Sequence, residues 1–409
     1  MHRATTEGAP APASGTEADG PTFVFASDSF KGSLSSARIA QLLAEEARVV
    51  FPQARCRSVA VADGGEGTVE AVVSQAGGRM VPVRVQGPLG LSVKAQFGLL
   101  PGNRAIMEMA AASGLPLVPP AERNRLRTSS YGTGQLIRAA LDAGARDLVI
   151  GLGGSATVDG GMGMLAALGV RFWDAGMWEV PACGGNMEDV VRIDVSGLDA
   201  RLAECRVRAM CDVDNPLLGP QGAAHVFGPQ KGADPAMVER LEAGMTGYAR
   251  ALAAAAGTDC AALPGAGAAG GLGAALAALL HARLEPGIEC VLDLVGFDDR
   301  LAGADLCVTG EGRLDAQTLH GKAVAGIAAH CKAAGVPCAA VVGSIAPDAD
   351  RAALQAAGLS AVVPTIAPGE EWDPASDAEA AFRAAAHRLF AKELPALPIR
   401  GAGIRRIRG

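Results

Sequence analysis

The chain contains few aromatic residues, no large excess of basic charge and no long apolar run. Aromatic residues make up 4% of its 409 residues, and 36 basic against 43 acidic residues give a net charge of −7. This acidic balance argues against general nucleic-acid binding, because such proteins carry basic surfaces. Glycine, histidine or arginine interrupts each apolar stretch before the roughly 20 residues that a membrane span needs. We therefore expect neither a nucleic-acid nor a membrane partner.

Spacings typical of metal-binding cysteine and histidine residues are also missing. The nine cysteines form no CxxC pair, and the six histidines form no HxH or HxxxH pair. Buried free thiols in a reducing compartment explain such cysteines better than disulfides or zinc sites. The first 20 residues contain no apolar segment of the signal-peptide type. The sequence therefore predicts a cytoplasmic protein without a transition-metal site.

Glycine-rich loops between apolar segments are abundant, with 54 glycines in the chain. The stretch DLVIGLGGSATVDGGMGMLAAL, which starts at Asp147, is typical of a strand, a loop and a helix. Glycine permits positive φ and close backbone approach. Amide groups at the start of a following helix favour an anion. The pattern predicts a phosphate site in this loop.

Alternating strand and helix patterns divide the chain into parts. Both ends read as parallel βα units, including a run that opens with VLDLVGF at Val291, whereas residues 80–110 alternate like antiparallel hairpins. We expect an α/β fold in which both chain ends share one sheet and the middle forms an inserted domain. The predicted boundaries are a disordered leader at 1–21, a discontinuous domain at 22–80 plus 286–395, an inserted domain with a mixed sheet at 81–285, and a basic tail at 396–409.

Charged side chains follow several of the predicted strands. They are Asp28, Lys31, Asp63, Glu66, Asp159, Asp212, Asp214, Glu311, Arg313 and Asp315. A single acid before a helix is usually a cap. So many carboxylates at one sheet edge repel one another unless a cation or a charged substrate lies among them. Carboxylates for Mg²⁺, basic side chains for phosphate and a carboxylate base together favour phosphoryl transfer.

Common nucleotide motifs do not account for these loops. GLGGSA at Gly151 and GAGAAG at Gly265 fit a dinucleotide fingerprint, but the first loop is too long and Pro264 precedes the second without a strand. The Walker pattern fails because Ala323 follows Lys322. The residues alone therefore indicate a kinase of non-Walker type.

Ten blocks of the sequence resemble the bacterial glycerate kinase family in collinear order over residues 22–370. They are SDSFKGSLS at Ser27, VADGGEGT at Val61, GPLG at Gly87, MEMAAASGL at Met107, GTGQLIRAALDAG at Gly132, GLGGSATVDGGMGMLAALG at Gly151, CDVDNPLLG at Cys211, VFGPQKGA at Val226, GAGAAGG at Gly265 and TGEGRLDAQTLHGK at Thr309. The resemblance implies ATP-dependent phosphorylation of D-glycerate, with 2-phosphoglycerate as the favoured product. It also implies two α/β domains around a cleft, one of them flavodoxin-like.

The resemblance further implies roles for individual residues. Gly153, Gly154 and Ser155 would hold phosphate, and Asp212, with Asp214 and Asp159 as further candidates, would hold Mg²⁺. Lys31 and Arg313 would meet the glycerate carboxylate or the transferred phosphoryl group, and Asp28, Asp63 and Asp315 compete as general base. Glu66, Asn215, Lys231, Glu311 and Lys322 complete the expected binding residues.

Two alternatives to glycerate phosphorylation stay open at this stage. One is another sugar or sugar-acid kinase, because GLGGSA resembles the phosphate loop of mevalonate-type kinases locally. The other is a non-catalytic sensor of glycerate or a nucleotide. The enzyme is expected to be a monomer or a homodimer.

Overall fold

The computed structural model describes residues 20–30, 32–61, 67–124, 126–319, 322–366 and 377–394. A five-stranded parallel sheet has the order β15-β13-β11-β1-β2. Its strands are β1 (Thr22–Phe25), β2 (Arg55–Ser58), β11 (Leu306–Thr309), β13 (Cys338–Val342) and β15 (Leu359–Pro364). Strands from both chain ends thus form one sheet, which confirms the predicted α/β arrangement.

A six-stranded mixed sheet occupies the middle of the chain, with the order β10-β9-β6-β5-β4-β3. Its strands are β3 (Arg79–Gln86), β4 (Ser92–Leu100), β5 (Arg104–Glu108), β6 (Asp147–Gly151), β9 (Arg206–Met210) and β10 (Arg283–Glu285). Strands β3 to β5 pair antiparallel, as the sequence predicted, and the others pair parallel. Two short pairs are β7 (Arg171–Trp173) with β8 (Arg192–Asp194) and β12 (Arg313–Leu314) with β14 (Ser344–Ile345).

Helices connect and cover these strands. They are α1 (Ser36–Val50), α2 (Thr68–Ala76), α3 (Ala110–Ser113), α4 (Tyr131–Asp142), α5 (Met162–Ala167), α6 (Ala223–Phe227), α7 (Pro235–Ala256), α8 (Ala268–Leu279), α9 (Gly287–Leu294), α10 (Phe297–Leu301), α11 (Ala323–Ala334), α12 (Arg351–Ala357) and α13 (Ala378–Arg388). Within the part of the chain that the structure describes, none of the helices is long and apolar enough to cross a bilayer.

The two sheets share one layer of helices. Successive side chains of a strand point to opposite faces, so Phe23 and Phe25 pack against α1 and α13, while Val24 faces the other way. That second face belongs to a core that also contains Val291 of α9 and Val149 of the six-stranded sheet. Helices α4, α5, α7 and α8 cover the far face of the six-stranded sheet. The layers therefore run helix, sheet, helix, sheet, helix.

One prediction of local structure is wrong at this shared layer. The run VLDLVGF, expected to be a strand, belongs largely to helix α9, whose residues Ile288, Val291 and Leu292 are all buried. A short apolar run cannot distinguish a buried strand from a buried helix. On the far face of the six-stranded sheet, helix α8 ends at Leu279, and strand β10 follows His281, whose φ is +51°.

Helix α4 packs closely on α5 because Gly134 has no side chain. A Cβ atom there would lie 2.3 Å from the carbonyl oxygen of Met164 and 2.7 Å from Cβ of Ala167. We expect Gly134→Ala to lower the free energy of unfolding by about 1–3 kcal/mol, because overpacking forces the helices apart. Urea unfolding followed by circular dichroism measures this change.

Gly247 provides a matched control within helix α7. A Cβ atom at this position meets no atom within 4 Å. Gly247→Ala should raise the free energy of unfolding by roughly 0.5–1 kcal/mol, since alanine is the better helix former. Equal effects of the two substitutions would contradict the close packing of α4 on α5.

Candidate active site

Two pockets lie at the carboxyl ends of the parallel strands, where ligands bind in open α/β sheets. The first, of about 480 Å³, follows strands β1, β11 and β13, and we call it the carboxylate pocket; its lining includes Asp28, Glu311, Arg313, Lys322 and Ser344. The second, of about 520 Å³, follows strands β6 and β9, and we call it the glycine pocket; its lining includes Gly153, Gly154, Ser155, Asp212 and Lys231. Most of the predicted site residues that the structure describes therefore line one of two pockets.

Glycines hold the loops of the carboxylate pocket together. A Cβ atom on Gly310 would lie 2.1 Å from the carbonyl oxygen of Val341, and one on Gly343 would lie 2.2 Å from that of Gly312. The amide of Asp28 donates to the carbonyl oxygen of Gly310 at 3.0 Å. The loops after β1, β11 and β13 thus meet in backbone contact, which brings their charged side chains to one place.

Glu311 is a buried carboxyl group in this pocket. The Thr318 hydroxyl donates to its Oε1 at 2.6 Å. Burial raises the pKa of Glu311 to about 7, although the hydrogen bond from Thr318 and the charge of Lys322 both lower it. The neighbouring acids Asp315 and Asp28 raise this pKa further. Glu311 can therefore accept and release a proton near neutral pH.

Among the described residues, two side chains bring positive charge to the carboxylate pocket. Lys322 lies 3.0 Å from Oδ1 of Asp315. Arg313 is exposed at the pocket and belongs to β12, which pairs with β14. The carboxylate of Asp28 accepts a hydrogen bond from the Ser29 amide at 2.6 Å. The pocket thus offers two cations to a small anionic ligand.

The glycine pocket combines exposed backbone with a buried lysine. Gly153 and Gly154 are exposed. Gly154 has a φ of +71°, a backbone conformation that residues with a side chain rarely adopt. Lys231 is buried and donates from Nζ to the Ser155 hydroxyl at 2.6 Å and to the carbonyl oxygen of Thr157 at 2.7 Å. The ammonium group therefore lies directly behind the glycine loop, where it favours an anion.

Asp159, expected as a candidate Mg²⁺ ligand, lies inside the protein. It is fully buried and accepts hydrogen bonds from the amide and hydroxyl of Ser130 and from the amides of Gly161 and Gly163. Burial raises its pKa, although these four hydrogen bonds lower it. The prediction that amides opening the helix after the loop face a ligand is wrong, because those of Gly161 and Gly163 face this internal carboxyl group. Asp159 fixes the loop from behind.

The two acids after strand β9, Asp212 and Asp214, lie in different surroundings. Asp212 is exposed at the glycine pocket, and its Oδ1 accepts a hydrogen bond from the Gly287 amide at 2.9 Å. Mg²⁺ commonly takes one or two carboxylates together with phosphate oxygens, so Asp212 beside the glycine loop fits such an ion. Asp214 is exposed outside the pocket lining, and Asn215 donates to the carbonyl oxygen of Gln221 at 2.8 Å, which stabilises a turn.

Three predicted site residues, Lys31, Asp63 and Glu66, lie outside the described residues. Sequence reasoning overlooked Thr318, whose hydroxyl both donates to Glu311 and accepts from the amide of Asp315 at 3.1 Å. The spacing Asp315-x-x-Thr318 is the local signal that could have found it, since such side chains often bond nearby backbone in turns.

The residues of the two pockets fit an α/β phosphotransferase for a small anionic substrate, and comparisons with known proteins show the family. The model of the glycerate kinase family matches residues 23–392. Glycerate kinase of Bacillus subtilis is 48% identical over 347 residues, covering 85% of this chain and 90% of the relative. Glycerate 2-kinase of Escherichia coli is 47% identical over 326 residues, covering 80% and 86%.

A solved structure agrees with this match. A crystal structure assigned as glycerate kinase 2 of Salmonella typhimurium LT2 superposes with a TM-score of 0.80 at 46% identity, and covers 92% of this chain and 98% of that one. The chain belongs to the glycerate kinase family and is an enzyme of the kinase class.

Substituting Asp159 tests its structural position. Asp159→Asn should lower the free energy of unfolding by about 1–3 kcal/mol, because the amide nitrogen faces donors and leaves a buried group without a partner. The exposed Asp214→Asn is the control, with an expected change within about 0.5 kcal/mol. Unchanged stability of Asp159→Asn in urea unfolding would show that this carboxyl group does not hold the loop.

Proposed function

We propose that this chain transfers the γ-phosphoryl group of ATP to D-glycerate in the presence of Mg²⁺, with 2-phosphoglycerate as the product. Membership of the family supports glycerate as the acceptor, and the relative named glycerate 2-kinase supports the 2-hydroxyl. The observation that carries the proposal is the pair of pockets. One offers a glycine loop with a buried lysine, and the other offers two cations beside a titratable carboxyl group.

The glycine pocket is proposed to bind the ATP phosphates. The backbone of Gly153 and Gly154 would approach the phosphate oxygens, while Ser155 and Lys231 would contribute a hydroxyl and a positive charge. Asp212 would hold Mg²⁺, which when bound neutralises charge on the phosphates. This assignment needs no Walker motif, because lysine reaches the loop from a distant segment.

The carboxylate pocket is proposed to bind glycerate. Its carboxylate would lie against Arg313 and Lys322, which leaves the 2-hydroxyl directed toward Glu311. Glu311 would take the hydroxyl proton as the oxygen attacks the γ-phosphorus and the bond to ADP breaks. Among the described acids Glu311 suits this role best, because Asp315 is paired with Lys322 and Asp28 accepts from the Ser29 amide.

Transfer between the pockets requires them to approach each other. Their linings share no residue, so we propose that binding of both substrates closes an interdomain cleft, as in many kinases. Lys31, Asp63 and Glu66 remain predicted members of this closed site. A reducing cytoplasmic location is also proposed, supported by nine free cysteines. The oligomeric state, monomer or homodimer, is left for solution measurement.

ADP formation tests the reaction. Purified protein with ATP and Mg²⁺ should release ADP only when D-glycerate is added, and ³¹P and ¹³C NMR should place the phosphate on the 2-hydroxyl. Glycerol is the matched control acceptor, since it lacks the carboxylate that Arg313 and Lys322 would bind. ADP release without an acceptor, or equal release with glycerol, would count against glycerate, and nucleotide binding without turnover would favour a sensor.

The pH dependence tests Glu311 as the base. Because the ionised form accepts the proton, kcat/KM should rise as the pH passes through about 7, the pKa of Glu311. Glu311→Gln should lower kcat by about 100- to 10,000-fold, the usual size of a general-base contribution.

Thr318→Val tests the same carboxyl group by a smaller change than Glu311→Gln. It removes a hydrogen bond that stabilises the ionised carboxylate, so the pKa of Glu311 should rise and the acid limb of kcat/KM should move to higher pH. At high pH its activity should approach that of the unaltered enzyme. An unmoved limb in Thr318→Val would assign the pH dependence to another group.

A further inference from the structure

Three cysteines converge in the core on one face of the five-stranded sheet. Cys307 on β11, Cys331 on α11 and Cys338 on β13 are each 0% exposed. Their Sγ atoms all lie within 4.8 Å of one another. We call this group the cysteine triad. It is distinct from the site described above, since none of its members lines either pocket.

The fold itself brings these thiols together. Cys307 and Cys338 are register partners on neighbouring parallel strands, so their side chains point to the same face of the sheet. Cys331 belongs to the same core cluster as both and reaches that face from helix α11. Two strands and a helix thus supply three sulfur donors to one point. The three cysteines meet through the fold, so the sequence shows no CxxC spacing for them.

The thiols interact directly. Side-chain hydrogen bonds link Cys307, Cys331 and Cys338 with one another. The three Sγ atoms therefore form one hydrogen-bonded group that a single ion can meet as a whole.

The donor set restricts the ion. In the described residues, the cluster contains three sulfur ligands and no histidine or carboxylate, whereas structural Zn²⁺ takes four ligands. Three sulfurs bound to one ion at ~2.3 Å in a trigonal arrangement lie no more than ~4.0 Å apart, so the triad, whose Sγ atoms lie within 4.8 Å of one another, contracts to bind the ion. Net charge in a dry core is costly. Three thiolates around a trivalent ion give a neutral complex, whereas a monovalent or divalent ion leaves negative charge.

We propose that the cysteine triad binds one trivalent thiophilic ion of the arsenic(III) class, with all three sulfurs as ligands. With arsenous acid the reaction is As(OH)₃ plus three thiols giving As(S-Cys)₃ plus three water molecules. Three As–O bonds and three S–H bonds break, three As–S bonds form, and each thiol proton forms an O–H bond of a departing water molecule, so the oxidation state of arsenic is unchanged. The bound ion would tie α11 to β11 and β13.

Position in the chain gives this link a functional meaning. Strand β11 leads directly into Gly310 and Glu311, and Lys322 immediately precedes helix α11. An ion in the triad would therefore fix the two segments that carry the proposed base and a substrate-binding cation. Since an ion that binds only the folded state stabilises it, the melting temperature should rise on binding.

The test uses the full-length protein, reduced and freed of metal, with sodium arsenite as the probe. Native mass spectrometry should detect one arsenic atom per chain, and the melting temperature should increase with arsenite concentration. Cys331→Ala should weaken binding by at least about 100-fold, the upper end of what even an outer-shell substitution costs a metal site. Because the site is enclosed, loading needs local opening, so samples are incubated to constant signal.

Cys290→Ala is the matched control, since Cys290 is also buried in the same core but is not a triad member. It should bind arsenite like the unaltered protein. If circular dichroism shows that Cys331→Ala does not fold, Cys338→Ser is tested in its place, because serine has nearly the same volume as cysteine. Absence of stoichiometric arsenic, equal weakening by Cys290→Ala, or tighter binding of Zn²⁺ than of arsenite would overturn the proposal.

Discussion

The apolar core between the two sheets is the constraint on which the rest of the structure depends. Helices α2 and α9 place Val69, Val72 and Val291 in a cluster that also contains Val24 of one sheet and Val149 of the other. A parallel strand must be covered on both faces, so each sheet relies on this shared layer. The amide of Gly287, the first residue of α9, also donates to Asp212, so the same helix that fills the core positions a candidate metal ligand.

Local chemistry made much of the fold predictable. The Ser35 hydroxyl oxygen caps α1 by accepting a hydrogen bond from the Arg38 amide, and Asp234 and Gly257 cap the two ends of α7. Such signals act within one turn of a helix, so they can be read from neighbouring residues. The nature of α9 could not be read in this way, because its apolar character on nearly every side reflects two sheets that the local sequence does not contain.

The loops of the candidate site could be predicted from the sequence, but the arrangement of their side chains could not. Glycine and acidic residues at strand ends indicated the loops, and most of the described candidates lie at the two pockets or behind them, whereas Asp214 and Asn215 lie outside both linings. Which acid stays hydrated, which is paired and which is buried depends on residues far away in sequence. Glu311 acquires its high pKa mainly through burial, whereas Asp315 lies beside Lys322. The cysteine triad was missed for the same reason, since its members meet only across strands and a helix.

The carboxyl group of Asp159 has a consequence for how the glycine loop can change. Because this internal group already receives the amides that open α5, the loop's attraction for anions rests on a side chain, Lys231, more than on helix geometry. A helix terminus cannot be removed by a point mutation, but a lysine can. The charge preference of this pocket therefore depends on one side chain, and because the same lysine donates to Ser155 and to the carbonyl oxygen of Thr157, replacing it changes the loop's hydrogen bonds together with its charge.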